Sequence, residues 1–288
     1  MTQTRTVEQQ NAPAKYKLTD ETIETPSGRK LHRIRALVAI AAIGVSAGDL
    51  GGFIEASKNL EQSGNAWVSG DARVYGDAWV YGDAEVSGDA RVYGDAWVYG
   101  DAEVSGDARV YGDAEVYGNA RVYGDAEVSG NARVYGDAEV YGNARVYGDA
   151  WVYGDAEVSG DARVYGDAEV YGNARVYGDA EVSGNARVYG DAEVSGDARV
   201  YGDARVSLSI HIGWFSNVGS ECGTLTYFRQ KDGSIYTNRG CFSGTLSDFE
   251  GAVKKRHGDS RIGQEYDLLI QFIRLRASAW EVAQQEAA

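Results

Sequence analysis

Residues 64–81 read GNAWVSGDARVYGDAWVY, which is three copies of one hexapeptide, Gly-(Asp/Asn)-Ala-x-Val-(Tyr/Ser). The hexapeptide continues without insertion or deletion to residue 207, so that 24 copies fill half of the 288-residue chain. An unbroken period of this kind is typical of a solenoid, in which each repeat packs against its neighbours. Alternation by two places Ala and Val on one face and the variable residue and Tyr or Ser on the other. The sequence therefore predicts a narrow tube filled by Val and Ala.

Gly followed by Asp or Asn predicts a corner between short strands, because these residues tolerate a positive φ. Three hexapeptides make one triangular coil of 18 residues, so the array makes about eight coils. We expect an all-β solenoid with an N-terminal β cap and a small C-terminal α+β domain. The predicted parts are a disordered tail over residues 1–14, the cap over 15–63, the solenoid over 64–207 and the C-terminal domain over 208–288.

The outward positions form ladders with an 18-residue period. One ladder consists of Tyr81, Tyr99, Tyr117, Tyr135, Tyr153, Tyr171 and Tyr189. The variable position adds Trp67, Trp79, Trp97 and Trp151. Tyr and Trp combine apolar area with a polar group and suit interfaces, so these residues predict a surface that binds a protein or a glycan. The alternative is that the Tyr rings stack between coils and only stabilise the array.

The net charge of −15 lies in the array, which holds 11 Arg against 18 Asp and 9 Glu. Most of the acids are corner residues, and one edge is nearly pure. It consists of Asp71, Asp89, Asp107, Asp125, Asp161, Asp179 and Asp197, with one Asn at position 143. Corner Asp residues of this kind favour solubility. A ladder of cation sites and a mimic of the nucleic-acid backbone, bound by a DNA-binding protein, are the alternatives. Since Arg alternates with Glu on the flat faces, we rank the mimic below a scaffold.

The segment before the array contains motifs that are found in a known family of solenoids. Residues 33–37 read RIRAL, residues 47–55 read AGDLGGFIE, and the array opens with GNAWV at residues 64–68. Over roughly residues 15–207 the chain resembles the YdcK-type β-solenoid family. The resemblance implies a left-handed parallel β-helix. Members of that family occur in bacteria and prophages and are often catalogued as acyltransferases because of their hexapeptides, so the resemblance also implies these two associations.

Acyl transfer by hexapeptide proteins depends on a His base, often on a loop that interrupts the coils, and the base must reach the substrate. This array contains neither a His nor such a loop. His211, on the strand predicted over residues 207–215, is the remaining candidate base, and a structural His is the alternative. The spacing of His211, His257, Cys222 and Cys241 matches no zinc-ligand pattern. We therefore predict no catalytic residue, no metal and no cofactor.

Residues 36–47 form an apolar run that is too short to span a bilayer as a helix. The run could be the core of a signal peptide, but 35 residues before it would be an unusually long leader. We expect a pair of buried cap strands instead. Two Cys in the whole chain exclude a disulfide framework and favour a reducing compartment. The sequence thus favours a cytoplasmic protein without a membrane partner.

The last 81 residues lack the hexapeptide and predict mixed structure. A hairpin is expected over residues 224–237, around the turn Lys231-Asp232-Gly233. A capping box at Ser247–Glu250 predicts a helix that ends near Gly258. An apolar stripe predicts a longer helix over residues 264–284.

Taken together, these patterns favour a non-enzymatic β-solenoid that acts as a structural spacer or a protein-interaction scaffold. A hexapeptide-class acyltransferase is the first alternative, and an acidic mimic of nucleic acid is the second. We expect a protein partner and no direct binding to nucleic acid. The oligomeric state does not follow from the sequence.

Overall fold

The computed structural model describes residues 13–280. The chain divides into two compact units, Met1–Asp125 and Ala126–Ala288. The predicted disordered tail over residues 1–14 lies outside the described residues except for positions 13 and 14, which are exposed.

The first unit begins with three cap strands, β1 (Tyr16–Glu24), β2 (Lys30–Ala36) and β3 (Leu50–Ile54). Both neighbouring pairs among them are antiparallel. The array strands that follow are β4 (Trp67–Val68), β5 (Arg73–Val74), β6 (Trp79–Val80), β7 (Glu85–Val86), β8 (Arg91–Gly94), β9 (Trp97–Gly100), β10 (Glu103–Val104), β11 (Arg109–Gly112), β12 (Glu115–Gly118) and β13 (Arg121–Val122). Each of the strands β4 to β10 pairs in parallel with the strand three places further on. The first face therefore contains β4, β7, β10 and β13, the second face β5, β8 and β11, and the third face β6, β9 and β12.

The cap also contributes to the tube itself. Strand β3 pairs in parallel with β5 on the second face, and Leu60 forms a parallel bridge with Val80 on the third face. Cap residues thus cover two faces ahead of the first hexapeptides. The parallel solenoid that we predicted is confirmed, and its turns number about 9 rather than the eight expected from the hexapeptides alone.

Cap side chains satisfy the backbone groups of the first hexapeptides, which have no complete coil before them. The buried Lys15 donates to three main-chain carbonyls, of which the nearest is that of Ala66 at 2.7 Å. Glu55 accepts a hydrogen bond from the N–H of Gly76 at 2.7 Å. Asn59, fully buried, donates to two further carbonyls. These contacts close the N-terminal end of the tube.

The apolar run over residues 36–47 does not form the pair of buried cap strands that we predicted. Strand β2 ends at Ala36, and a 3-10 turn follows at Ala41–Ile43. Gly44, with φ of 71°, reverses the chain direction directly after this turn. The segment between Ala36 and Gly44 is therefore too short to form a second strand. Ile40 is buried, whereas Leu37 is exposed. No helix within residues 13–280 is long and apolar enough to cross a membrane.

The second unit continues the repeat. Its array strands are β14 (Glu127–Val128), β15 (Arg133–Gly136), β16 (Glu139–Val140), β17 (Arg145–Val146), β18 (Trp151–Gly154), β19 (Glu157–Val158), β20 (Arg163–Val164), β21 (Glu169–Gly172), β22 (Arg175–Val176), β23 (Glu181–Val182), β24 (Arg187–Val188), β25 (Glu193–Val194), β26 (Arg199–Val200) and β27 (Arg205–Val206). Pairing again joins every third strand in parallel and in register. In this unit β16, β19, β22 and β25 form the first face, β14, β17, β20, β23 and β26 the second, and β15, β18, β21, β24 and β27 the third.

The interior of the array in both units contains the Ala and Val of each hexapeptide, and all of them are fully buried. The prediction of a tube filled by these two residues is therefore confirmed. The corner Gly is required for two reasons, as Gly100 shows. Its φ is 74°, and a Cβ at this position would lie 2.9 Å from the backbone nitrogen of Gly118. A side chain here would clash with the adjacent coil.

After the array, the second unit ends in a four-stranded antiparallel sheet and two helices. The strands are β28 (Ile212–Val218), β29 (Gly223–Arg229), β30 (Ile235–Arg239) and β31 (Phe242–Thr245), paired in chain order. The helices are α1 (Leu246–His257) and α2 (Arg261–Ala277). Leu225 and Tyr227 of the sheet share a core with Phe249, Tyr266 and Ile270 of the helices. The α+β class predicted for this region is confirmed.

Three details of this region differ from the prediction. The capping box of α1 is formed by Thr245 and Asp248, because β31 runs directly into the helix and leaves Thr245 at the N-cap. Helix α2 begins at Arg261, three residues earlier than expected, with Ser260 as its cap. Its predicted end at residue 284 lies outside the described residues. Finally, the predicted strand over residues 207–215 contains a 3-10 turn at Ser209–His211 before β28 begins.

Candidate interaction surface

A stack of Tyr rings lies on the third face of the first unit. In-register parallel pairing places identical side chains one strand spacing apart. Tyr81 and Tyr99 are 4.8 Å apart with an angle of 6° between their rings, and Tyr99 and Tyr117 are 4.8 Å apart at 4°. The Tyr99 hydroxyl donates to Glu115 at 3.1 Å. Burial and the Glu115 carboxylate raise the pKa of Tyr99, so the hydroxyl stays protonated.

The second unit has the same arrangement on its third face. Tyr135 stacks on Tyr153 at 4.9 Å, Tyr153 on Tyr171 at 4.8 Å, and Tyr171 on Tyr189 at 5.0 Å. The rings of this ladder therefore stack in each unit, as in the alternative interpretation of the Tyr residues. All these rings are half-buried by their neighbours and keep one edge toward solvent.

A further Tyr ladder, on the second face, was missing from our sequence analysis. In the first unit Tyr75, Tyr93 and Tyr111 stack at 5.0 Å with nearly parallel rings. In the second unit Tyr147 and Tyr165 do the same. The signal was present, since the last position of every third hexapeptide has the same 18-residue period. Ser residues at positions 129 and 183 interrupt it.

Two Trp side chains of the first unit are exposed beside the Tyr stack. Trp79 is 37% exposed and Trp97 is 44% exposed. Trp79 stacks on Tyr81 at 4.1 Å and meets Trp97 edge-to-face at 6.2 Å. We call Trp79, Tyr81, Trp97 and Tyr99 the third-face patch. It is an ordered aromatic surface that lies outside the filled tube.

Trp151 occupies the equivalent position in the second unit and is 38% exposed. It borders an open groove of about 340 Å³. The Arg133 guanidinium lies 5.4 Å from the centre of the Trp151 ring, within range of a cation–π interaction. Asp149, Asp167 and Glu169 also line this groove, so its charge is mainly negative.

Trp67 does not belong to the exposed surface that we predicted. Only 4% of it is exposed, because the cap covers the first face at this point. The ring of Tyr16, in β1, meets Trp67 edge-on at 6.5 Å. The hexapeptide pattern gives Trp67, Trp79 and Trp97 the same outward position, and only the cap distinguishes them.

The carboxylates of the predicted acidic edge are exposed in both units. Asp71 lies 3.4 Å from Arg33 of the cap, and the Thr224 hydroxyl donates to Asp197 at 3.4 Å. Within the second unit, Asn143 donates to Asp161 at 3.1 Å. Among residues 13–280, no three His, Cys, Asp or Glu side chains form a group that could hold a metal ion.

Ion pairs between successive coils neutralise the flat faces. One of them joins Arg187 to Glu169 at 2.9 Å on the third face. Arg163 and Arg199 lie on either side of Glu181 on the second face, at 3.4 and 3.7 Å. Exposed pairs of this kind stabilise a fold by well under about 1 kcal/mol each. Because of these pairs, the net negative charge of the array lies at its corner Asp residues.

The family model described as YdcK Beta solenoid repeat matches four segments of the chain, residues 66–82, 84–100, 138–154 and 192–213. The array thus carries the YdcK β-solenoid repeat. The matches lie in both units and confirm the resemblance over the hexapeptide array, whereas the cap lies outside the matched segments. No curated protein matches the sequence. We therefore infer the function of this YdcK-type solenoid from its own exposed surfaces.

The candidate base His211 is buried at the point where the YdcK-type solenoid meets the C-terminal sheet. Its Nδ1 lies 3.1 Å from the Ser207 hydroxyl, and its ring meets Trp280 edge-on at 5.9 Å. Burial, and to a smaller extent the nearby charge of Arg229, lower its pKa to about 4. A general base must contact its substrate. His211 has no exposed surface, so the geometry matches the structural alternative.

Proposed function

We propose that this chain is a non-enzymatic scaffold whose YdcK-type solenoid binds a partner protein at the third-face patch. The observation that carries this proposal is the exposure of Trp79 and Trp97 on a surface that the fold does not need for its core. The tube is already filled by Val and Ala. Large aromatic side chains held rigidly at a surface are the residues that dominate binding energy in protein interfaces.

The surroundings of the patch indicate the chemistry of the partner. Exposed corner carboxylates border it, Asp77 and Asp95 on one side and Asp83 and Asp101 on the other. Phosphate groups would be repelled here, which disfavours nucleic acid. A protein surface with apolar side chains and Lys or Arg at its rim would complement both the rings and the carboxylates. We therefore propose a basic protein surface as the partner.

Site-specific photo-crosslinking tests the proposal. A photoreactive Phe analogue at Trp97 should crosslink a partner in cells, whereas the same analogue at Glu103, on the first face, should not. Trp79→Ala should reduce the crosslinking from position 97, because the ring of residue 79 lies next to that position in the same patch. Equal crosslinking from both positions would contradict a third-face site.

The acidic-mimic alternative gives a different result. It requires the corner carboxylates, so a variant with Asp89→Asn, Asp107→Asn and Asp125→Asn would lose the partner, and salt would weaken binding steeply. Under our proposal that variant keeps the crosslink from position 97, because these residues belong to the corner between the first and second faces.

A further inference from the structure

A cavity of about 280 Å³ lies in the C-terminal part of the second unit, among groups that have no role in the proposed scaffold. Helices α1 and α2 form one side of it. The loop before β29 and the turn between β30 and β31 form the other side. The cavity is slightly smaller than typical ligand sites, which suits a molecule of about ten non-hydrogen atoms.

One wall of the cavity is aromatic and is fixed by the core of the domain. Phe242 lies 5.2 Å from Phe249, and Phe249 meets Tyr266 edge-to-face at 5.3 Å. Phe249 and Tyr266 are buried core residues whose rings cannot turn away freely. The wall is therefore formed before any ligand arrives, and it matches the flat face of an aromatic ring.

Two guanidinium groups also line the cavity, that of Arg239 in β30 and that of Arg256 in α1. Arg239 donates through Nη2 to the carbonyl of Val218 at 2.7 Å, but its buried Nε has no hydrogen-bond partner in the described part of the chain. A buried donor without a partner costs free energy. Arg256 lies 3.4 Å from Glu221, and both side chains are exposed. Such a pair is weak enough for an anion to replace Glu221.

We propose that this cavity binds a small aromatic monocarboxylate. The aryl group packs on Phe242, Phe249 and Tyr266, and the carboxylate accepts hydrogen bonds from Arg239 and Arg256. Two Arg against one Glu give the lining a net positive charge, which favours an anion. An inorganic anion would leave the aromatic wall without a partner, and a neutral aryl compound would gain no charge-assisted hydrogen bond from the two Arg side chains.

Calorimetry on the full chain tests this proposal with three matched compounds. Phenylacetate should bind saturably with a dissociation constant of about 1 mM, as expected for so small a ligand. Acetate lacks the ring and 2-phenylethanol lacks the charge, so each should bind at least about tenfold more weakly. Equal affinity for 2-phenylethanol, or no saturable binding of phenylacetate, would overturn the proposal.

Variants then locate the site. Arg239→Gln and Arg256→Gln should each weaken phenylacetate binding about tenfold, because each removes a charge-assisted hydrogen bond. Arg261→Gln, an exposed change at the start of α2, is the control and should leave the affinity unchanged. If Arg239→Gln impairs folding, the exposed Arg256→Gln decides the question. Unchanged affinity in folded Arg256→Gln protein would refute the proposed carboxylate site.

Discussion

Asn131 donates a hydrogen bond through its Nδ2 to Asp149, 2.8 Å away and one coil further along the array. The same relationship joins Asn65 to Asp83 at 2.7 Å. Every Asn of the array is followed 18 residues later by Asp. The corner Asn residues therefore interrupt rows of carboxylates with a donor. At these corners a hydrogen bond replaces the repulsion between two stacked carboxylates.

We expect Asn131→Asp to lower the free energy of unfolding by about 1 kcal/mol at low salt, because a hydrogen bond is replaced by repulsion between neighbouring carboxylates. Added salt should reduce the loss. Urea unfolding at two salt concentrations measures both effects. Asp149→Asn is the control, since it removes a charge and keeps a possible acceptor, and it should cost little. A loss that salt does not change would contradict the electrostatic explanation.

Because the cap covers only one of them, we expect different losses of stability when two Trp residues at the same position of the hexapeptide are replaced. Trp67→Ala should destabilise the protein by about 3 kcal/mol, because it leaves a cavity beneath Tyr16. Trp97→Ala should cost less than about 1 kcal/mol, because its ring is partly in solvent. Chemical unfolding of both variants provides the comparison. Similar losses would mean that Trp97 is a structural residue, and the proposed binding patch would lose its main support.

Deleting residues 100–117 should remove one coil and leave a cooperatively folded protein, since contacts in a solenoid join neighbouring coils. The deletion keeps the 18-residue phase and places Glu85 beside Arg121 on the first face. Deleting residues 100–108 is the matched control. It shifts the hexapeptide by three residues, turns the Ala and Val positions outward and should abolish folding of the array. Circular dichroism and thermal unfolding distinguish the two. Failure of the 18-residue deletion to fold would contradict the equivalence of the coils.

We expect the stability of the protein to depend on pH because His211 is buried. Its pKa is lowered to about 4 in the folded protein, whereas an unfolded His titrates near 6.5. The folded state thus favours the neutral ring. The stability that this ring contributes is fully present above pH 6.5 and is lost as the pH falls toward 4, by up to about 3 kcal/mol. Unfolding at pH 7 and at pH 4.5 should show this loss. It should be smaller in His211→Gln and unchanged in His32→Gln.

Contacts that repeat from coil to coil could be predicted from the sequence, whereas contacts that occur once could not. The inward Val and Ala and the Tyr stacks followed from the period, because in-register coils make every contact a copy of its neighbour. The burial of Trp67 depends on Tyr16 in the cap, which no period links to it. The exposed turn at Ala41–Ile43 and the capping of α1 by Thr245 also occur only once and are not part of the repeat. Three separate elements contribute the cavity residues Glu221, Arg239 and Arg256. No spacing in the sequence therefore predicts that these side chains lie together.

The scaffold proposal also predicts that this chain does not bind an acyl donor. Hexapeptide acyltransferases need a base that reaches the substrate, and His211 lies buried between Ser207 and Trp280. We therefore expect acetyl-coenzyme A to show no saturable binding in calorimetry with the full chain. The informative variant is His211→Ala, which opens the site and removes the imidazole. If the unmodified protein bound acetyl-coenzyme A with a micromolar dissociation constant and His211→Ala abolished that binding, the acyltransferase alternative would be correct. Weak binding that His211→Ala leaves unchanged would not involve the candidate base and would leave the scaffold proposal in place.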